Sequence, residues 1–326
     1  MNAESERPLA IIVGGGFGGT HAAHALRKAP VRIKLIDRTN HSVFHPLLYQ
    51  VATAGLSSDE IAAPIRFLLR RQANIEVLMA EVKGVDLAQH CVDIGTDRLA
   101  YDYLILATGS EYNYFGHPEW ARYAPGIKTI ADAARIRQGI LRAFERAELQ
   151  TDLSQIAPLL TFVIVGAGPT GVELAGALVE LARHVLVREY RHIDTRNTRV
   201  LLLEAGPRIL LGMPEVLSRK AARELTRKGV YVRTHAAVTS IDETGVTINH
   251  DEYIRTGNIV WTAGVKATTL GRALGVETDL LGRVKVLQNL SVPNHPEVFV
   301  IGDLAVMEKE GKRFAPGLAP VAIATG

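Results

Sequence analysis

Two sets of glycines, each followed by an acid, carry the chemistry most visible in this chain. Gly14, Gly16 and Gly19 stand in G-x-G-x-x-G spacing, with Phe17 and Gly18 between them and Asp37 downstream. Gly166, Gly168 and Gly171 repeat the spacing, and Glu204 follows. In such a set the first glycine permits a tight turn, the second lets the main chain approach a pyrophosphate, and the third lets a helix pack closely on a sheet. N–H groups at the helix start and the helix dipole then hold phosphate charge. An acid at the end of the next strand accepts hydrogen bonds from a ribose diol. The distance from Gly14 to Asp37 is close to the usual spacing of about 20 residues. The interval from Gly166 to Glu204 is longer, and residues 184–198 read as an insertion. A carboxylate at Glu204 repels a 2′-phosphate, which favours NADH over NADPH. Arg208, four residues on, is a cation that could accept such a phosphate or simply be a solvated loop charge.

Two nucleotide sites in one chain point to a flavin plus a nicotinamide. Two further segments fit that pairing. Residues 103–107 are an apolar run ending in Thr108, Gly109 and Ser110, and residues 298–301 end in Gly302 and Asp303. At the carboxyl edge of a sheet Gly302 allows close approach, and Asp303 can accept from a polyol such as the ribityl chain of FAD. Glu173 lies two residues past the second glycine set, in what reads as the first turn of a helix, where the dipole stabilises a carboxylate. It is an ordinary helix acid unless it is buried with a raised pKa, in which case it can relay a proton. His21 and His24 stand three apart on a predicted helix, but no third ligand is evident, so no metal is expected. His41 and His45 flank Phe44 and read as packing or surface residues. No serine sits in a G-x-S-x-G elbow.

These residues need strands and helices to position them. Leu9 begins an apolar run that leads into the first glycines, and Leu160 begins its echo. Such continuous runs read as buried parallel strands, and the Ala-rich stretches after the glycines as helices. Residues 57–71 read as a helix opened by a capping box of Ser57 with Glu60. Residues 129–149 place Ile136, Ile140, Leu141 and Phe144 on one stripe of another. Short strands recur at 31–36, 75–79, 91–94, 103–107, 200–203, 230–234, 246–249, 259–262, 284–287 and 298–301. The expected class is therefore α/β, with two doubly wound, Rossmann-like dinucleotide-binding domains.

Composition supports an ordinary globular chain. It has 326 residues, 47% apolar and 22% charged, with a net charge of +3. That length suggests about two domains, and the charge is too weak and dispersed for a nucleic-acid partner. The single cysteine, Cys91, excludes an intrachain disulfide and any Cys-based cluster. The longest uncharged stretch, residues 156–172, is interrupted by Pro158, Gly166, Gly168, Pro169 and Gly171, unlike a membrane-spanning helix. The first six residues include Glu4 and Glu6 and do not read as a secretion signal. A cytoplasmic location follows as the expectation.

The chain resembles the two-dinucleotide-fold flavoproteins and, within them, the single-subunit type II NADH dehydrogenases (NADH:quinone oxidoreductases). The resemblance covers nearly the whole chain. It rests on VGGGFGG at Val13, FHPLLYQVATAGLS at Phe44, VIVGAGPTGVELAG at Val163, LLEAGPRIL at Leu202, WTAGV at Trp261 and VFVIGD at Val298. The Phe44 segment is the most family-specific of these. The resemblance implies that Gly14, Gly16, Gly19 and Asp37, with Phe17 and Gly18 in the same turn, bind the ADP part of FAD. Val82 would touch the adenine, and Pro46 would lie near the isoalloxazine. Thr108, Gly109, Gly302, Asp303 and Ala319 would complete the FAD site. Gly166, Gly168, Gly171 and Glu204 would hold NADH, with Ala263 and Gly264 at its nicotinamide end. Glu173 would sit near flavin and quinone as the catalytic proton carrier.

The resemblance also implies an NAD domain inserted in the FAD domain. FAD-binding parts are expected at 1–115 and 276–326, a helical connection at 116–149 and the NAD(H)-binding domain at 150–275. The expected activity passes a hydride from NADH to FAD and then two electrons to a quinone, without proton pumping. The expected setting is cytoplasmic, and peripheral on the inner face of the cell membrane where the family's C-terminal region is present; a homodimer is compatible with it. Pro320 and Ala324 stand where the family often carries glutamine; alanine at the second position removes a hydrogen bond to quinone. The sequence stops at Gly326, before the family's C-terminal membrane-attachment region, so weak membrane binding is expected. Two rival readings stay open: a flavin-dependent NADH oxidoreductase with a soluble acceptor, and a non-catalytic flavin-binding module.

Overall fold

A computed structural model describes residues 7–309, 312–314 and 319–326. The N-terminal residues 1–6, and Pro316, Gly317 and Leu318 near the other end, lie outside the described residues. The chain begins with β1 (Leu9–Val13), α1 (Phe17–Ala25), β2 (Arg32–Asp37), β3 (His41–Val43), α2 (Leu48–Ala52), α3 (Ser58–Ile61), β4 (Ala62–Pro64) and α4 (Ile65–Leu69). It continues through β5 (Ile75–Met79), β6 (Gly84–Asp86), β7 (Cys91–Asp93), β8 (Arg98–Ala100), β9 (Tyr103–Leu106) and β10 (Ser110–Tyr112). Then come α5 (Ile130–Glu148), α6 (Leu153–Leu159), β11 (Thr161–Val165), α7 (Pro169–Glu180), β12 (Arg199–Leu203), α8 (Glu215–Lys228) and β13 (Val230–Arg233). The strands β14 (Val238–Ile241), β15 (Gly245–Ile248), β16 (Glu252–Arg255), β17 (Asn258–Trp261) and β18 (Val265–Ala267) precede α9 (Thr269–Ala273). The last elements needed here are β19 (Val284–Lys285), β20 (Ser291–Val292), β21 (His295–Val300) and α10 (Ala319–Thr325).

The fold is α/β and divides into two compact units. The first comprises the chain up to Val43, Ala62–Glu111 and Val265–Gly326; the second comprises Phe44–Ile61 and Tyr112–Gly264. These limits differ from the sequence expectation at residues 44–61 and 112–149, which join the second unit, and at 265–275, which join the first. The reason is packing: α2 lies against α5 and α7, and α5 against α6 and β17.

In the first unit the sheet order is β20-β21-β9-β1-β2-β5. β1 runs parallel between β2 and β9, and β21 and β5 extend the parallel set on either side. The central strands are apolar throughout because both faces are covered. Alternate residues serve opposite faces: Ile11, Val13, Leu104 and Leu106 pack with Leu270 of α9, while Ile12, Ile33 and Leu35 pack with Ala22 and Ala23 of α1 and with Ile65 and Leu69 of α4.

In the second unit the order is β13-β12-β11-β17, parallel throughout. β11 is buried at every position. An antiparallel meander, β14-β15-β16, accompanies it. Helix α5 is set by a capping box: the Thr129 hydroxyl accepts from the Asp132 N–H, and the Asp132 carboxylate accepts from the Thr129 N–H. Its buried stripe is Ile136, Ile140, Ala143 and Phe144, with Leu141 only half-buried.

One local expectation is corrected. The helix expected over residues 57–71 is broken into α3, β4 and α4. Pro64 has no N–H to donate and disfavours helix at Ala63, so Ala62–Pro64 pairs antiparallel with His41–Val43 instead. The Ser57 capping box is half formed: the Ser57 N–H and hydroxyl both donate to Glu60 Oε2, at 2.7 and 2.8 Å. The insertion expected at 184–198 lies between α7 and β12. It prolongs α7 as a π turn and short 3₁₀ turns. The Glu148 carboxylate holds it by accepting the N–H groups of Arg191, His192 and Ile193. Burial raises the Glu148 pKa, but these hydrogen bonds outweigh it and the carboxyl lies below its ordinary value. Among the described residues no helix is long and apolar enough to cross a membrane.

Candidate functional site

The first glycine turn is closed on two sides and open on the third. Gly14 has φ +106°, and a Cβ there would lie 2.4 Å from the Ala107 oxygen at the end of β9. A Cβ on Gly19 would lie 1.8 Å from the Gly14 oxygen, so α1 packs directly on the turn. A Cβ on Gly16 would meet nothing within 4 Å. That residue is the N-cap of the nine-residue α1, whose first N–H groups surround an open cradle. Phe17 opens the helix, and Gly18 is buried against Ile301.

Asp37 reaches the same turn. Its Oδ2 accepts from the Gly15 N–H at 2.6 Å, and its Oδ1 accepts from the N–H and hydroxyl of Thr39, both at 2.7 Å. A carboxylate offers about four lone-pair positions, so with three taken one remains for a ribose hydroxyl. Val82 is half-buried in the link between β5 and β6. At the carboxyl ends of β9 and β21, the Thr108 and Thr268 hydroxyls lie 2.6 Å apart, and the Ser110 hydroxyl donates to Asp303 Oδ2 at 2.7 Å. Gly109 follows Thr108 directly. The Gly302 N–H donates to the Thr325 hydroxyl of α10, the helix that Ala319 opens and that packs on α1. The first unit thus gathers every residue expected at FAD except Pro46, which belongs to the second.

The second turn repeats the geometry. Gly166 has φ +101°, and a Cβ there would lie 2.3 Å from the Ala263 Cα. A Cβ on Gly171 would lie 2.0 Å from the Gly166 oxygen and 2.8 Å from the Thr262 hydroxyl. Gly168, the N-cap of α7, again faces open space. Glu204 Oε2 accepts from the Ala167 N–H at 2.9 Å, and Oε1 from the Gly206 N–H at 2.8 Å. Ala263 and Gly264 follow β17, beside Gly166 and against Phe115 respectively. Both cradles suit the phosphates of a dinucleotide and both carboxylates its ribose.

Arg208 is not a solvated loop charge. Its guanidinium donates to the carbonyls of Leu210, Leu211 and Met213 at 3.2, 2.7 and 2.9 Å. Glu173 needs a correction as well. It is the fifth residue of α7, past the first turn, so the dipole argument does not apply to it. It lies on the exposed side, yet partial burial of its carboxyl pushes the pKa above the ordinary value. α2 packs against α7, and the exposed Pro46 stands in the short turn just before α2.

The remaining candidates have structural partners. His21 Nδ1 lies 2.8 Å from the Phe17 oxygen, His24 is exposed, and His41 Nδ1 lies 3.1 Å from Asn40 Oδ1. Cys91 is buried in β7. Among the described residues no group of three or more His, Cys, Asp or Glu side chains could hold a metal ion. Thr39, Ser110, Thr262 and Thr268 support the turns but escaped the sequence reading. Thr39 alone carried a local signal, since Asp-x-Thr closes an Asx turn; the others meet their partners only through the fold.

Comparison with known proteins agrees with this geometry. The family description "Pyridine nucleotide-disulphide oxidoreductase" matches residues 9–326. The type II NADH:quinone oxidoreductase Ndh of Mycobacterium tuberculosis is 47% identical, over 97% of this chain and 70% of its own length. NdhA, a second type II NADH:quinone oxidoreductase of that organism, is 45% identical, over 98% and 69%. The solved structure of NDH2 from Plasmodium falciparum in complex with NADH has a TM-score of 0.84 at 25% identity, over 93% of this chain and 65% of that one. This chain belongs to the pyridine nucleotide-disulphide oxidoreductase family and, within it, to the type II NADH:quinone oxidoreductases.

Proposed function

We propose that this chain oxidises NADH and passes the electrons through FAD to a quinone, with FAD held by the first unit and NADH by the second. The observation that carries the reading is the duplicated turn, open at Gly16 and at Gly168 and backed each time by an acid. Bound FAD would accept a hydride and release electrons to a second acceptor; the polypeptide contributes position and electrostatics.

Gly16, Phe17 and Gly18 offer N–H groups to the pyrophosphate, Gly14 makes the tight turn that aims them, Gly19 lets α1 pack on that turn, and Asp37 accepts from the adenosine ribose. Val82 meets the adenine. Thr108, Gly109, Gly302, Asp303 and Ala319 belong to the flavin end. In the second unit Gly166, Gly168 and Gly171 hold the NADH phosphates, Glu204 takes its ribose, and Ala263 and Gly264 border the nicotinamide. Glu173, its pKa raised by burial, relays a proton toward the quinone. Since a quinone resides in the lipid bilayer, the working position is peripheral, at a membrane surface.

The test is an anaerobic titration of FAD-loaded protein. NADH is expected to bleach the yellow flavin band, and a quinone analogue to restore it. A folded chain that takes up no FAD, or a flavin that NADH leaves unbleached, refutes the reading. Restoration by a ferredoxin-type acceptor but by no quinone transfers the activity to a soluble partner.

A further inference from the structure

The Glu204 end of the second turn contains cations that look available to a nucleotide phosphate and are not. Arg208 directs three of its N–H donors at the carbonyls of Leu210, Leu211 and Met213. Arg233, whose main-chain oxygen takes the Glu204 N–H, pairs its guanidinium with both carboxylate oxygens of Glu252. With three of its five N–H donors on carbonyl oxygens, the Arg208 guanidinium meets an incoming anion with bordering negative dipoles, which weakens any hold on a 2′-phosphate.

The Arg208 staple also reaches the glycine turn through a continuous path. Residues 209–213 fold back so that the Leu210 N–H donates to the Ala167 oxygen at 2.8 Å. The Ala167 N–H in turn donates to Glu204. Leu210 takes φ +50°, an uncommon conformation for a leucine, and its carbonyl is one of the three that Arg208 binds. A strained residue persists when its surroundings over-determine it. Here the guanidinium is one of those surroundings.

We propose that Arg208 is a positioning residue for the dinucleotide: by closing residues 209–213 it holds Ala167 and Glu204 in register around the adenosine ribose. Because the cation is committed to that task, the site rejects 2′-phosphorylated nucleotide even when the Glu204 charge is absent. This rests on the reading that the second unit binds NADH.

The experiment measures flavin reduction by NADH and by NADPH in the wild type, Arg208→Ala, Arg208→Lys and Glu204→Ala. Arg208→Ala should raise KM for NADH about tenfold with kcat within about twofold, and Arg208→Lys should fall between, because one ammonium cannot serve three carbonyls. Glu204→Ala should weaken NADH while NADPH gains less than about tenfold. An unchanged KM in a folded Arg208→Ala or Arg208→Lys protein overturns the positioning role. NADPH use by Glu204→Ala at the wild-type NADH level overturns the claim that the cation is committed. Failure of the wild type to be reduced by either nucleotide overturns the NADH reading itself, a distinct outcome.

Discussion

Gly16 and Gly19 differ by three positions and are expected to fail in different ways. Alanine at Gly19 would drive a Cβ into the Gly14 oxygen, which the backbone can relieve only by moving α1 away from β1. We expect Gly19→Ala to destabilise the apoprotein by about 3 kcal/mol or more, seen as a lower melting temperature. Alanine at Gly16 meets open space in the free protein. Gly16→Ala should melt within about 1 kcal/mol of the wild type without FAD, yet lose FAD affinity at least tenfold by reconstitution titration. Glu173 is tested by its two half-reactions: Glu173→Gln should slow reoxidation by quinone and leave flavin reduction by NADH near wild type. Its raised pKa carries a stability sign. The fold favours the protonated carboxyl, so the contribution is present below the ordinary glutamate value and is lost as pH rises through the raised one. Glu173→Gln should therefore be no less stable than wild type at neutral pH, and its relative advantage should vanish in acid melts. At this scale the glycines and acids were legible because their chemistry needs a fixed spacing. The Arg208 staple was not, because nothing in residue type or spacing says that a guanidinium will find carbonyls instead of solvent.

Elements were legible where one period ran uninterrupted. The α5 stripe is of that kind, as are the apolar strands β1 and β11. The segment from Ser57 to Leu69 was misread because its apolar positions fit a helical period while Pro64 cannot. Strand pairing with His41–Val43, which residue spacing does not encode, decided the outcome. The turn between α9 and β19 shows the same dependence on partners. Asp279 is nearly inaccessible, and its carboxylate accepts from the N–H groups of Leu281 and Arg283 and from the Arg283 guanidinium. Burial raises its pKa, but these bonds outweigh it and the carboxyl lies below its ordinary value of 3.8. The stabilisation is thus present above that value and lost as pH falls through the lowered one. Asp279→Asn is expected to cost roughly 2 kcal/mol at pH 7. In parallel denaturant titrations the two proteins should converge as pH falls through the lowered value, and a gap that persists in acid would assign the effect to packing.

At the scale of the whole molecule the decisive property is that the chain carries two binding units, each with its own parallel sheet. The repeated glycine motif foretold that duplication, because each phosphate cradle needs its own strand, turn and helix. The exact partition was less legible: residues 44–61 lie early in the chain yet pack with α5 and α7, and such long-range packing leaves no periodic trace. Two separate cradles make an asymmetric forecast for hydrogen exchange. A ligand that binds only the closed form slows local opening by about 1 + [L]/Kd, near a hundredfold at a hundred times Kd. FAD should slow exchange at residues 15–18 and around Ser110 and Asp303. An NAD analogue should slow residues 167, 168 and 170 and residues 205–206, with little effect on the first set. Slowing by FAD at residues 167, 168 and 170 instead would reverse the assignment of the units. Slowing by neither nucleotide at either turn would mean that the cradles hold no dinucleotide, since an N–H donating to a phosphate cannot exchange as freely as one facing water.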